Sequence, residues 1–311
     1  MGVSLEGQVA VVTGAGKGLG RAHALELARL GAAVVVNDVD VQAADDVVGE
    51  ITRAGCRAVA SHDSVATPEG GQAVVDRALE AFDTVDAVVN NAGYLRNAYF
   101  EDMTAQQFRE VLDVHLHGSF HVTQPAWRVM KAKGYGRVVL TASGAGFFGR
   151  EAGANYCAAK GGLHGLCRCL AIEGEELGIK VNSLLPAART TIGQTSPMPE
   201  RYRARQAARV AGRQVPEDRR RAELVAPLVA YLSSSACAVS GQAFSSALGR
   251  YALAFTGVGL GWIAPGTDVP SADDIAEHLV EIEDLDGFLR PGSVFEEISA
   301  VAQRIRGADG D

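Results

Sequence analysis

Ser143, Tyr156 and Lys160 are the residues of this chain whose types and spacing point most directly to chemistry. Tyr156 and Lys160 are four apart, so on a helix they share a face, one turn from each other. An ammonium group then stands beside a phenol. A phenol titrates near pH ~10 and is a weak proton-transfer group at neutral pH, whereas a neighbouring cation favours the phenolate and brings that value down. Ser143 closely follows the apolar run Arg137–Val138–Val139–Leu140–Thr141. That places its hydroxyl at the carboxyl end of a strand, where open α/β sheets bind ligands. A Tyr-x-x-x-Lys pair by itself is as readily a plain helix surface, so its meaning depends on the elements around it.

The first of these elements is at the amino terminus. Gln8–Val9–Ala10–Val11–Val12–Thr13 is short, β-branched and uncharged, which reads as a buried strand. It runs into Gly14–Ala15–Gly16–Lys17–Gly18–Leu19–Gly20 and then a helical stretch from Arg21 to Leu30. A glycine-rich turn between strand and helix lets the backbone approach a pyrophosphate, and the helix start supplies N–H groups and positive dipole. Gly14, Lys17, Gly18, Leu19 and Gly20 are therefore candidate cofactor-binding residues. The next strand, Ala33–Val34–Val35–Val36–Asn37–Asp38, ends in an acid 18 residues beyond Gly20. That is close to the distance at which a carboxylate accepts hydrogen bonds from an adenosine ribose. Asp38 would repel a 2′-phosphate, so it points to NAD rather than NADP. Lys17 and Arg21 argue mildly the other way, unless they are solvated cations at a helix start.

Strands are expected at 8–13, 33–38, 57–61, 86–90, 136–142, 179–185 and 242–247, with helices at 18–30, 41–54, 69–82, 105–133, 154–177 and 222–234. This alternation predicts an α/β fold, a Rossmann-type doubly wound sheet of seven parallel strands with helices on both faces. The expected organisation is a catalytic dinucleotide-binding domain over 1–261, with an insertion at 187–221, and a C-terminal helical extension over 262–311 packed on the same domain. Net charge is −8 over 311 residues, which excludes a basic nucleic-acid surface. No apolar run approaches the roughly 20 residues that span a bilayer. The first strand begins by residue 8, leaving no room for a signal peptide, and the closing Gly310–Asp311 carries no peroxisomal address. Cys56, Cys157, Cys167, Cys169 and Cys237 are odd in number and scattered, which reads as reduced thiols of a cytoplasmic protein without a metal site.

The glycine turn, Asn90–Asn91–Ala92–Gly93 after the fourth strand, the Ser143/Tyr156/Lys160 set and Val181–Asn182–Ser183–Leu184–Leu185–Pro186 together resemble the short-chain dehydrogenases/reductases across the first 190 residues. A narrower resemblance spans almost the whole chain. Val36–Asn37–Asp38, Asp63–Ser64–Val65, Val114–His115–Leu116–His117–Gly118–Ser119–Phe120, Leu170–Ala171–Ile172–Glu173–Gly174 and the tail are similar to the (3R)-hydroxyacyl-CoA dehydrogenase domain of peroxisomal multifunctional enzymes. The resemblance implies hydride transfer between NAD and a secondary alcohol or ketone, with a (3R)-3-hydroxyacyl-CoA/3-ketoacyl-CoA pair as substrate. It implies that Tyr156 exchanges the hydroxyl proton, that Lys160 lowers the tyrosine's pKa and binds the nicotinamide ribose, and that Ser143 orients the substrate oxygen. Asp63 and Ser64 would border the adenine, Asn91, Ala92 and Gly93 the adenosine side, and Pro186 and Thr191 the nicotinamide side. Many family members carry asparagine where this chain has His115; histidine matches the hydroxyacyl-CoA branch and supports catalysis, unless it is structural. Pro186–Ala187 departs from the family's Pro-Gly.

The resemblance makes the 187–221 insertion a substrate-covering lid. Its arginines, Arg201, Arg203, Arg205, Arg209, Arg213, Arg219, Arg220 and Arg221, either meet coenzyme A phosphates or form a solvated cationic face. In the tail, Ser271 reads as an N-cap, residues 271–287 hold seven acids with no lysine or arginine, and Val294, Ile298, Val301 and Ile305 form an apolar stripe. A homodimer or homotetramer through helices 105–133 and 154–177 is implied. Two other functions stay open: the same chemistry on a steroid, polyketide or other cyclic alcohol, and an NAD-binding sensor or assembly subunit without turnover.

Overall fold

A computed structural model describes residues 2–189, 191–210, 216–266 and 269–308. The chain divides into two compact units, with the division between Leu253 and Ala254. The first unit is a sheet flanked by helices. Its strands are β1 (Val9–Thr13), β2 (Ala33–Asn37), β3 (Ala58–Ser61), β4 (Ala87–Asn90), β5 (Gly136–Thr141), β6 (Ile179–Ala187), β7 (Ala243–Ala247) and β8 (Arg250–Ala254). They are ordered β3-β2-β1-β4-β5-β6-β7-β8. The pairs from β3 through β7 are parallel, as the alternating pattern predicts. β1, β2, β4 and β5 are buried along their whole length, which explains their uninterrupted Val/Ala/Leu runs.

β8 adds an eighth strand. A two-residue connection, Leu248–Gly249, can return the chain only antiparallel to β7. Both turn residues have positive φ, 58° and 84°. Leucine is an unusual residue there, so the sequence carries no Asn-Gly-type hairpin signal.

α1 (Gly18–Arg29), α2 (Val41–Arg53) and α9 (Ala226–Ser233) cover one face of the sheet. The other carries α3 (Pro68–Phe82), α5 (Gly118–Lys133) and α7 (Ala154–Glu173), with α4 (Ala105–Leu112) against α7. The helix expected over 105–133 is interrupted: Asp113–His117 forms a π turn between α4 and α5. Such turns re-aim side chains and occur often at functional sites. Short α6 (Gly144–Phe148) and α8 (Glu200–Val210) complete this unit.

The strand order reverses between β1 and β4, which opens a crevice at their carboxyl ends. In the second unit, Ser271 caps α10 (Ala272–Glu277) through a capping box with Asp274; α11 (Leu279–Ile282) and α12 (Val294–Ala308) follow. No helix among the described residues is long and apolar enough to cross a membrane.

His23 lies on the buried face of α1, and neither ring nitrogen has a hydrogen-bond partner among the described residues. Burial pushes its pKa down to about 3 from 6.5. As pH falls below 6.5 the unfolded chain binds a proton that folded His23 refuses, so stability is lost in the window between those values. Relative to native protein, H23L should therefore gain about 2 kcal/mol in unfolding free energy between about pH 7 and 5, measured by urea denaturation. A pH-independent difference would contradict this.

Candidate functional site

At the end of β1 the backbone turns sharply, with Gly14 at φ 61° and Gly18 at φ 55°. The first turn of α1 closes on this loop: a Cβ at Gly20 would lie 2.1 Å from the Gly14 carbonyl oxygen and 2.6 Å from Asn91 Nδ2. Gly16, which the spacing argument does not single out, is equally constrained, since a Cβ there would be 2.9 Å from Asp38 Oδ2. That oxygen accepts a hydrogen bond from Gly16 N at 2.9 Å, and Asp38 Oδ1 accepts one from Asp40 N at 3.0 Å. The carboxylate is thus fixed at the mouth of the glycine loop. Both basic residues nearby are paired, Lys17 with Asp40 at 2.6 Å and Arg21 with Glu50 at 2.5 Å.

Thr13 ties this loop to the end of β4. Its Oγ1 accepts hydrogen bonds from Asn91 N and Ala92 N, both at 3.0 Å, while Asn91 Nδ2 donates to the carbonyls of Thr13 and Gly14 at 3.0 and 3.1 Å. Gly93 then passes directly under the His115 ring; a Cβ there would be 2.0 Å from His115 Cε1. The π turn aims His115 inward, where Nε2 lies 2.8 Å from Tyr94 O and the ring meets Tyr156 edge-on at 5.3 Å between centroids. Burial, and next the charge of Lys160, hold His115 neutral well below its ordinary pKa, against the opposing pull of the Tyr94 carbonyl.

Ser143 caps α6, its hydroxyl accepting from Ala145 N at 3.1 Å, and that hydroxyl favours ionisation of the Tyr156 phenol. Asn155 fixes the start of α7 by donating to the carbonyls of Arg96 and Gln107 at 2.9 and 3.0 Å. One turn on, Lys160 is buried and donates to the Thr141 carbonyl at the end of β5. The predicted one-face pairing is present, with Lys160 Nζ 5.7 Å from the Tyr156 ring centroid. Its electrostatic outcome differs from the expectation. Burial raises the Tyr156 pKa, and the opposing influences are the Ser143 hydrogen bond and the Arg150 charge. Lys160 itself is pushed down to about 7 by burial. A buried ammonium gives up part of its own charge before it can fully stabilise its neighbour's.

These groups line one cleft of about 690 Å³. It brings together Gly14, Lys17, Gly18, Leu19, Asp38, Asp63, Ser64, Asn91, Ala92, Gly93, His115, Tyr156, Lys160 and Pro186. Gly20 stands behind the loop and Ser143 reaches the cleft through Tyr156. The side chain of Thr191 lies outside the described residues, as do those of Arg209 and Arg213. Tyr94, Thr141, Ile192 and Thr195 also line the cleft and escaped the sequence reading, because no motif spacing marks them.

The described part of the 187–221 segment is tied to its neighbours. Leu95 N donates to Thr195 Oγ1 at 2.9 Å, and Asn97 makes two 2.8 Å hydrogen bonds to Ser196. Arg205 pairs with Glu151 at 2.7 Å; Arg201 lies 4.7 Å over the Tyr99 ring and 3.7 Å from Glu101. These two arginines therefore tie α8 to Tyr99, Glu101 and Glu151, a role distinct from both coenzyme A binding and a solvated face.

A glycine loop at the switch point of a doubly wound sheet, with an acid after β2 and a Ser–Tyr–Lys set after β5, defines a nucleotide-dependent oxidoreductase. The residues fit a dinucleotide: Gly14, Lys17, Gly18 and Leu19 line the cleft at the start of α1, and the Asp38 carboxylate is held beside them by Gly16 N. The short chain dehydrogenase family model matches residues 8–200. A short-chain type dehydrogenase/reductase of Mycobacterium tuberculosis is 41% identical over 295 residues, covering 91% of this chain and 96% of the relative. The peroxisomal multifunctional enzyme type 2 of Mus musculus is 41% identical over 270 residues, covering 83% of this chain but 32% of that enzyme. The solved full-length enzyme of the same name from Drosophila melanogaster superposes with TM-score 0.79 at 33% identity, over 98% of this chain and 50% of that one. The chain belongs to the short-chain dehydrogenase/reductase family, whose fold binds a nicotinamide dinucleotide. Within the family it resembles the dehydrogenase portion of the multifunctional enzymes, of which it spans a third to a half.

Replacing Thr13 by valine keeps shape but leaves two backbone N–H groups without their acceptor. T13V should lose about 1–3 kcal/mol of stability and bind nicotinamide dinucleotide more weakly, read by thermal unfolding and fluorescence titration. Unchanged binding would show that the clamp does not shape the site.

Proposed function

We propose that the protein is an NAD-dependent dehydrogenase of (3R)-3-hydroxyacyl-CoA thioesters, working in either direction. The observation that carries this reading is that Tyr156 and Lys160 line the same cleft as the glycine loop, with the Ser143 hydroxyl acting on the phenol from behind that lining. When bound, the nicotinamide supplies the two-electron hydride acceptor or donor. Gly14, Lys17, Gly18, Leu19, Gly20, Asp38, Asp63, Ser64, Asn91, Ala92, Gly93, Pro186 and Thr191 would hold the dinucleotide. Tyr156 takes the substrate hydroxyl proton in oxidation and returns it in reduction. Ser143, whose hydroxyl favours the ionised phenol, steadies the substrate oxygen as charge develops. Lys160 adds positive potential behind the phenol, and neutral His115 walls the ring edge-on and fixes its plane.

Preference for NAD is supported by Asp38 and by the pairing of Lys17 and Arg21 with carboxylates, which leaves those cations engaged rather than open to a 2′-phosphate. The thioester substrate is supported by the similarity to the multifunctional enzymes and by Arg203, exposed on the lid helix. We further propose a cytoplasmic homodimer or homotetramer. Its support is Phe120 and Ile172, exposed on α5 and α7, and five cysteines that are all free.

The test is the rate of NADH or NADPH formation with (3R)- and (3S)-hydroxyacyl-CoAs of several lengths and with cyclic alcohols. NAD-dependent turnover of (3R)-thioesters is expected, and Y156F should lose about 10²–10⁴-fold while still binding nucleotide. Turnover confined to a ring alcohol would overturn the substrate. A Y156F protein equal to native in every assay would point instead to a nucleotide-binding subunit without catalysis.

A further inference from the structure

No motif assigns a role to Arg150, in the connection between α6 and α7. Its guanidinium carbon lies 5.1 Å from the centroid of the Tyr156 ring. Two contacts fix it there. Nη2 donates to Asn97 Oδ1 at 2.6 Å, and Asn97 is bound in turn to Ser196 of the lid segment. On the other side a Cβ at Gly153 would lie 2.4 Å from Nη2 and 2.8 Å from Nε, so the guanidinium rests directly on glycine backbone. Nε is buried and has no hydrogen-bond partner among the described residues. A buried, charged donor left unpaired is costly, which calls for a compensating role.

The groups around Tyr156 show what that role is. His115, from the π turn, is neutral. Ser143, from the end of β5, offers a hydrogen bond without charge, and Cys157, from α7, opposes ionisation of the phenol. Lys160, also from α7, is pushed to about 7, so its charge is already partly lost at neutral pH. A guanidinium keeps its charge throughout. Glu151, next in the chain, receives Tyr99 and Arg205.

We propose that Arg150 is a positioning residue for Tyr156: locked over the ring by Asn97 and Gly153, its guanidinium supplies the standing positive charge that favours the phenolate during proton transfer. This rests on Tyr156 being the proton-transfer group. The measurement is the tyrosinate ultraviolet absorbance against pH, with the signal of Y156F subtracted to isolate Tyr156. R150Q should move that titration up by about 1 pH unit, and R150K by less. G153A keeps the charge but pushes the guanidinium off the ring, and should move it in the same direction. The pH profile of kcat should follow these shifts, with KM little changed. A titration unmoved in both R150Q and G153A overturns the inference, as does a rise in KM alone, which would make Arg150 a substrate ligand. A titration that moves while the turnover profile stays fixed upholds the contact and overturns Tyr156 as the proton-transfer group.

Discussion

Burying the ammonium of Lys160 is the constraint from which the arrangement of the site follows. A buried lysine needs a strong acceptor, and it finds one in the Thr141 carbonyl at the end of β5. That bond sets the height of α7 against the sheet and hence where Tyr156, one turn earlier, meets the crevice. Close approach of the helices makes it possible. A Cβ at Gly146 would lie 2.5 Å from Gly161 N, so α6 and α7 touch backbone to backbone. Gly93 under His115 plays the matching part on the β4 side.

The cost of burial also shapes the electrostatics. Desolvation raises the phenol and lowers the lysine, so each is biased toward its own neutral form. Spacing alone shows a cation beside a phenol, whereas enclosure weakens the cation that the spacing supplies. The structure answers with groups distant in sequence: the Ser143 hydroxyl and the Arg150 guanidinium, which Asn97 holds in place.

Much of this was legible in the residues because it depends on local periodicity. Buried parallel strands need unbroken β-branched runs, a strand-to-helix phosphate turn needs glycine at Gly14 and Gly18, and an i,i+4 pair needs no tertiary information. What escaped depends on contacts between distant segments. The π turn at Asp113–His117 leaves no local mark, and β8 follows a turn with leucine at positive φ. The arginines of the 187–221 segment look like a solvated run or a phosphate site in sequence, yet Arg201 and Arg205 are held against Tyr99, Glu101 and Glu151, about 50 to 100 positions earlier in the chain.

The central claim is that proton transfer at Tyr156 accompanies hydride transfer from a secondary carbinol carbon. Single-turnover formation of NADH from a (3R)-hydroxyacyl-CoA carrying deuterium at the carbinol carbon tests it most directly. The account predicts that the burst is slower for the deuterated than for the protiated substrate, and that the burst rate rises with pH through the Tyr156 titration. A burst insensitive to both deuterium and pH, or no NADH at saturating substrate, would contradict it.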